Sequence, residues 1–306
     1  MRAVVTTGDE RVFEFVEVAA PVAERNQVVV AVEATSMNRG EIGALVAEKG
    51  LRPGWDVAGK IVEEALDGSG PAIGTRVVGV VDAAAWAEQV AVPTSQLAVL
   101  SEEISTEMAA ALPVVGLTAW FALKRGGPLL GRDVLVTGAL GGVSRMAIQL
   151  ARIGGSTVTA TVRDESRVTE ARRLGAANVV TGLLEGASFD LVIDSIGGPV
   201  LSDAIAHSRP DGVIVTYGRS SREPINLDPA QLYRGGVTLS GLNVFHEIHR
   251  EGSVTRALET LVNLLASGNL DAGVSIVEPW TRAVQARSRV LNREIRGKAV
   301  LTISGT

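Results

Sequence analysis

The stretch 133–152 constrains the fold more than any other part of the chain. Its residues Val134–Val136 form a short, β-branched-rich run typical of a buried parallel strand. The glycine-rich segment 137–142 then permits a tight turn, and apolar residues at helical spacing follow from Val143 to Ala151. A strand, a glycine turn and a helix N-terminus direct backbone N–H groups at one point, which predicts an anion-binding site.

The turn is an incomplete match to the Gly-x-Gly-x-x-Gly pattern of dinucleotide-binding proteins. Ala139 stands at the first glycine position, Gly141 at the second and Ser144 at the third. A glycine turn alone is weak support for a nucleotide. The second position is where the backbone approaches a pyrophosphate, and its glycine favours a dinucleotide site. We expect Ser144 to fit between helix and strand while perturbing the turn slightly.

Strand-like and helical segments alternate after this turn. Short apolar runs recur at 156–162, 178–180, 189–194, 212–217 and 237–242, with helical patterns between several of them. Together with 134–136 they predict a doubly wound parallel sheet. Residues 1 to about 100 instead show short strands separated by turns, and the tail 274–303 has a strand–helix–strand pattern. The predicted fold class is therefore α/β, with a β-rich region beside the parallel sheet.

Composition excludes several classes of protein. A length of 306 residues with 46% hydrophobic and 21% charged residues suggests about two packed domains. The net charge of -5 argues against a nucleic-acid partner, and the longest apolar window, 109–123, is too short to cross a membrane. Cysteine is absent, which excludes disulfides and cysteine-ligated zinc. Without a signal-peptide pattern at the N-terminus, we expect a soluble, cytoplasmic protein.

Eight short motifs occur in order along nearly the whole chain. They are Ser36–Ile42, Pro53–Gly59, Gly74–Val77, Ala110–Ala119, Val136–Val143, Leu174–Ala176, Phe189–Gly198 and Gly297–Leu301. In this order they resemble the medium-chain dehydrogenase/reductase superfamily, specifically its zinc-independent quinone oxidoreductase branch. The resemblance implies a GroES-like catalytic domain at 1–112, completed by 268–306, with a Rossmann domain inserted at 113–267.

The resemblance also implies hydride transfer from NADPH to a quinone or to the β-carbon of an α,β-unsaturated carbonyl. Asn38 and Thr118 would be the catalytic residues, and Glu41 and Trp55 would line the substrate pocket. Interpreted without the family, Asn38 is a turn residue and Thr118 a helix-start hydroxyl. Trp55 would then be a packed aromatic residue with its N–H bonded.

The cofactor-binding residues include both turn and strand-end positions. The resemblance assigns this role to Gly138, Ala139, Gly141, Gly142, Val143, Arg163, Arg167, Ser195, Gly218, Asn243 and Phe245. The second strand ends at Val162, where an acidic residue would hold the ribose 2′-hydroxyl of NADH. Arg163 and Arg167 follow, and a guanidinium suits a 2′-phosphate, so NADPH is favoured over NADH. Alternatively, both arginines pair with Asp164 and Glu165 on a solvated face.

Zinc chemistry is not expected. The positions that correspond to the zinc ligands of related alcohol dehydrogenases are Asn38, Trp55 and Val115, none of which is a usual zinc ligand. A second candidate, His246–His249, is one residue short of the zinc-protease spacing and is interpreted as a surface or packing feature. A zinc alcohol dehydrogenase therefore stays the weakest hypothesis.

Two departures from the branch leave an alternative function open. The turn is altered, and the loop around residue 40 lacks the tyrosine that is frequent in the branch, so water is the default proton donor. The alternative is a non-catalytic NADPH-binding or sensing protein of the same fold. The resemblance further implies a homodimer that pairs along 237–245 and a small-molecule substrate.

Overall fold

The computed structural model describes residues 1–9, 12–44, 47–182, 184 and 186–303, and it contains two compact units. Unit 1 comprises Met1–Val114 and Ile248–Thr306, and unit 2 comprises Val115–Glu247. We expected boundaries after residues 112 and 267. The second boundary lies earlier because the helix at 255–266 packs against a strand of unit 1.

Most strands are short, and most fall close to the predicted positions. In chain order they are β1 (Arg2–Thr6), β2 (Phe13–Glu17), β3 (Gln27–Ser36), β4 (Asp56–Glu63), β5 (Arg76–Val80), β6 (Gln89–Pro93), β7 (Leu97–Val99), β8 (Asp133–Val136), β9 (Thr157–Val162), β10 (Asn178–Thr181), β11 (Phe189–Asp194), β12 (Ser208–Thr216), β13 (Thr238–Gly241), β14 (Val274–Pro279) and β15 (Lys298–Thr302).

The helices connect these strands. They are α1 (Arg39–Ala44), α2 (Thr106–Ala110), α3 (Pro113–Arg125), α4 (Gly142–Ile153), α5 (Val168–Arg173), α6 (Gly198–Ala206), α7 (Ala230–Tyr233), α8 (Val244–Glu251), α9 (Thr255–Ala266) and α10 (Ala283–Leu291). Pro113 begins α3, a position that suits proline because the N–H it lacks would have no partner within the first turn. Within the described ranges, no helix has the length and apolar character needed to cross a bilayer.

Unit 1 is built on a seven-stranded sheet with the order β14-β15-β3-β4-β5-β7, in which β6 pairs with β3. Strand β15 pairs antiparallel with β3, so the C-terminal segment completes a sheet that the N-terminal segment begins. Valines from several strands, together with Trp86 and Trp280, fill the core of this unit. Gly54 has a φ of +110°, and a Cβ added there would lie 2.4 Å from the Trp86 nitrogen, so this position requires glycine.

Unit 2 is built on a six-stranded sheet with the order β10-β9-β8-β11-β12-β13, and all of its pairings are parallel. The predicted doubly wound sheet is therefore confirmed. The strand order reverses between β8 and β11. In open sheets of this kind, ligands bind beyond the carboxyl ends of the strands at such a reversal.

Candidate active site

The glycine turn lies at the carboxyl end of β8, as the sequence predicts. The N–H of Gly138 donates to Thr161 Oγ1 at 3.2 Å, and that of Ala139 donates to the Thr161 carbonyl at 3.0 Å. Gly138 has a φ of +63°, and a Cβ added there would lie 2.8 Å from Ser195 Oγ. The turn is thus fixed to the end of β9 and leaves no room for a side chain at Gly138.

Helix α4 begins directly after this turn and has no side-chain cap among the described residues. Its N-cap is Gly141, and the first intrahelical bond runs from the Arg145 N–H to the Gly141 carbonyl at 2.9 Å. The N–H groups of Gly142 and Val143 precede that bond. They therefore provide donors at the positive end of a 12-residue helix.

Ser144 is accommodated beneath the turn. Its side chain is fully buried, its hydroxyl donates to the Thr137 carbonyl at 2.9 Å, and its oxygen lies 2.9 Å from the Tyr217 hydroxyl. Burial raises the pKa of Tyr217 to about 12, so the phenol stays protonated at neutral pH. Two hydrogen bonds therefore fix the serine that replaces the third glycine.

A buried carboxylate, Asp194, organises the neighbouring loop ends. It accepts from Thr137 Oγ1 at 2.8 Å, from Thr216 Oγ1 at 3.2 Å and from two N–H groups of its own loop. Ser195 donates its N–H to Thr137 Oγ1 at 3.0 Å, and a Cβ added at Gly218 would lie 3.1 Å from the Ser195 carbonyl oxygen. The predicted residues Ser195 and Gly218 thus adjoin each other, and Asp194 is an organising residue that we did not predict.

The two arginines after β9 differ in their partners. Arg167 Nε lies 3.1 Å from Asp164 Oδ2, and Glu165 accepts from Thr181 Oγ1 at 2.8 Å. The Ser166 hydroxyl, assisted by Arg167, holds the pKa of Asp164 below its usual range. Arg163 is exposed and makes no hydrogen bond or ion pair with any residue that the structure describes.

Asn243 has a local structural role. Its side-chain oxygen accepts from the N–H groups of Phe245 at 3.0 Å and His246 at 3.2 Å, at the start of α8. This is a helix N-cap, and the N–H of Phe245 is already engaged in it. The contact between this segment and a cofactor, which the resemblance implies, remains a prediction.

The segment His246–His249 divides its side chains between separate partners. Glu247 is buried and forms an ion pair with Arg125, whereas His249 Nε2 lies 3.1 Å from Asp82 Oδ2. His246 is exposed. Across the described part of the chain, no group of three His, Asp or Glu side chains is arranged to hold a metal ion.

Asn38 lies at the start of α1 within a buried polar cluster of unit 1. Its side chain is 7% exposed. Its carboxamide nitrogen donates to Asp56 Oδ2 at 2.8 Å, and its carboxamide oxygen accepts from Lys298 Nζ at 2.7 Å. Together with Glu41, these residues are called the Asn38 cluster below.

Asp56 and Lys298 were not predicted as site residues. Asp56 begins β4 and accepts from the Ser36 hydroxyl and, through Oδ1, from the Val114 N–H at 2.8 Å. Lys298 begins β15, is 3% exposed, and lies 3.3 Å from Asp56 Oδ2. A lysine next to the apolar residues of a buried strand indicates a buried ion pair, which is the signal that could have identified both residues.

Glu41 is fully buried behind Asn38. Its carboxylate accepts from the Asn38 N–H at 2.8 Å and from the Gly54 N–H at 3.1 Å. Desolvation, reinforced by the charge of Asp56, raises the pKa of Glu41 to about 8. Glu41 thus holds two loop backbones together, and its place in a substrate pocket, which the resemblance implies, stays a prediction.

Trp55 and Thr118 differ in exposure. The Trp55 ring is partly exposed and packs against Gly40, where an added Cβ would lie 3.0 Å from the ring. Thr118 is 5% exposed within α3. Trp55 therefore has surface available to a ligand while also bracing α1.

Comparison with known proteins agrees with this geometry. A family model described as zinc-binding dehydrogenase matches residues 142–263. A chloroplast envelope quinone oxidoreductase homolog from Arabidopsis thaliana is 27% identical over 94% of this chain and 93% of that protein. In its relatives and its two-unit α/β fold the chain is similar to the medium-chain dehydrogenase/reductase superfamily. A 2-haloacrylate reductase from a Burkholderia species is 28% identical over 63% of this chain and 62% of that protein.

Coverage of other relatives is much smaller. The chain spans 11% of a highly reducing polyketide synthase from Emericella nidulans, at 26% identity.

Solved structures match over nearly the full length. A quinone oxidoreductase from Coxiella burnetii has a TM-score of 0.84 at 25% identity, with 99% of each chain covered. A mycobacterial protein complexed with NADPH has a TM-score of 0.88 at 23% identity, covering 99% of this chain and 100% of that one.

Proposed function

We propose that this protein is an NADPH-dependent oxidoreductase that acts on quinones or on alkenes conjugated to a carbonyl group. The observation that carries the proposal is the N-terminus of α4, which no described side chain caps and which lies at the strand-order reversal of the parallel sheet. Similarity to quinone oxidoreductases and to a 2-haloacrylate reductase supports it. When bound, NADPH supplies a hydride for reduction of an electron-poor double bond.

The residues of unit 2 fit a dinucleotide with a 2′-phosphate. The N–H groups of Gly142 and Val143 would hold the pyrophosphate, and Gly138 keeps the turn free of a side chain. Arg163 would hold the 2′-phosphate, since its guanidinium is not engaged by any described carboxylate. Arg167 is already paired with Asp164, so we assign it a smaller share of the affinity.

We further assign Asn38 and Thr118 to contacts with the reacting groups, as the family resemblance implies, and Trp55 to the substrate pocket. Glu41 holds a proton at neutral pH, but its side chain has no exposed surface through which solvent could exchange that proton. Water therefore remains the proposed proton donor.

The test is a screen of acceptors for oxidation of NADPH. The panel contains 2-haloacrylate, enals, enones and quinones. Two of these compounds appear in the names of relatives, a 2-haloacrylate reductase and a quinone oxidoreductase homolog. We expect NADPH oxidation with at least one class of acceptor. Tight NADPH binding without turnover across the whole panel would instead support the alternative, a non-catalytic NADPH-binding or sensing protein. That alternative is suggested by Ser144 at the third glycine position and by the missing tyrosine.

We also propose a homodimer that pairs through β13. This strand is an edge of the six-stranded sheet, and an uncovered edge readily pairs with another strand. Sedimentation should show a dimer at micromolar concentration. A monomer at that concentration would contradict the proposal.

A further inference from the structure

The Asn38 carboxamide has little hydrogen-bonding capacity left for a ligand. Its nitrogen donates to Asp56 Oδ2 at 2.8 Å and to Glu41 Oε1 at 3.4 Å, and its oxygen accepts from Lys298 at 2.7 Å. A carboxamide offers two donor hydrogens and two oxygen lone pairs. Among the described residues, no group bonds to the second lone pair of Asn38 Oδ1, so this is the position left for a ligand.

Lys298 determines that the oxygen of the Asn38 carboxamide, and not its nitrogen, faces the lysine ammonium. Its ammonium contacts the Met37 carbonyl at 3.1 Å, Asn38 Oδ1 at 2.7 Å and Asp56 Oδ2 at 3.3 Å. An ammonium donates three hydrogen bonds and accepts none, so a carboxamide nitrogen cannot occupy the same place. Asp56 imposes the matching constraint on the other end, because an ionised carboxylate only accepts.

We propose that Lys298 and Asp56 are positioning residues that hold the Asn38 carboxamide in one orientation and present Oδ1 to the ligand as an acceptor. This inference rests on the proposed function, in which Asn38 contacts the reacting groups. The ligand group at Asn38 must then be a hydrogen-bond donor, such as a hydroxyl or an amide N–H. Asn38 does not polarise the carbonyl oxygen of a substrate.

The kinetic test uses variants that keep the buried charge balanced. Lys298→Met alone leaves Asp56 unpaired and can fail to fold, so the main variant is Asp56→Asn with Lys298→Met. Its kcat should fall about 10- to 100-fold with the KM for the acceptor changed less than about threefold, as expected for lost orientation. Lys60→Met, at an exposed lysine of β4, is the matched control and should leave both constants unchanged.

Coupling to Asn38 separates positioning from a general effect on the fold. If Lys298 and Asp56 act through Asn38, adding Asn38→Ala to the double variant should reduce kcat no further than Asn38→Ala alone does. If the loss of kcat in the double variant and the loss in Asn38→Ala multiply when the changes are combined, the proposal is overturned. A double variant that keeps its kcat within about threefold of the wild-type value would overturn it as well.

A measurement without turnover keeps this inference separate from the proposed function. Side-chain amide exchange of Asn38, followed by NMR and assigned with Asn38→Ala, should be slow in the wild-type protein and in Lys60→Met. It should become fast in the double variant, and equally slow exchange there would contradict the positioning role. Failure of every acceptor in the panel would overturn the proposed function, while this exchange result still decides whether Lys298 and Asp56 hold the carboxamide.

Discussion

The two units differ in whether the polar groups of their candidate sites are hydrogen-bonded within the protein. In unit 1, the Asn38 cluster is buried, and its members satisfy one another almost completely. In unit 2, the first turn of α4 has no described side-chain cap and Arg163 has no described partner. Buried polar groups must be paired, whereas a binding site needs free donors. This difference supports our proposal that the first region holds its own geometry and that the second binds an anionic ligand.

The largest effect on stability should follow from breaking the Asn38 cluster of unit 1. Lys298→Met removes the cation beside fully buried Asp56, and we expect it to lower the free energy of unfolding by about 3–5 kcal/mol. Urea unfolding measures this loss. Adding Asp56→Asn should recover much of it, because no unpaired charge is then left buried. A loss below about 1 kcal/mol in the single variant would show that the pair does not stabilise unit 1.

Glu41 should make the stability of the wild-type protein depend on pH. Its folded pKa of about 8 lies above the ordinary value of 4.5, so its contribution is complete below pH 4.5 and is lost as the pH rises towards 8. Between pH 6 and pH 9 the loss should reach about 3 kcal/mol.

Glu41→Gln should flatten that dependence in urea unfolding measured across the same pH range. Glu102→Gln is the control, since the Glu102 side chain is 91% exposed and should leave the slope unchanged. Equal slopes for the wild-type protein and Glu41→Gln would mean that Glu41 is ionised throughout this range in the folded protein.

A smaller effect is expected from the hydroxyl pair beneath the turn of unit 2. Tyr217→Phe and Ser144→Ala should each lower the free energy of unfolding by about 0.5–1.5 kcal/mol. The double variant should lose less than the sum of the single losses, because both changes break the same hydrogen bond. Strict additivity would mean that the two hydroxyls do not interact in solution.

Much of unit 2 was predictable because its strands and glycines follow local rules. The run 134–136, the turn that follows it and the alternation of later segments identify a parallel sheet and its ligand edge. The boundary expected after residue 267 groups α9 with the parallel sheet, whereas α9 packs against β7 of unit 1. Hydrophobic periodicity shows which face a helix buries, not which sheet covers it.

The Asn38 cluster was less predictable because its members are far apart in sequence. Lys298 and Asn38 are brought together by the pairing of β15 with β3, which spacing alone does not reveal. Asn38 itself was found by resemblance. Asp56 and Lys298 lie inside recognised motifs, and a charged residue at the start of an apolar strand is a local sign of a buried ion pair, but it does not identify the partner of either residue.

The most direct test of the proposed cofactor site in unit 2 is a paired titration with NADPH and NADH. Arg163→Ala should weaken NADPH binding about 10- to 100-fold and leave NADH binding unchanged, because it removes a charge-assisted contact with the 2′-phosphate. Arg167→Ala removes an arginine that Asp164 already holds, and it should cost less than about threefold. Equal losses in the two variants, or equal affinity of the wild-type protein for both cofactors, would contradict the account.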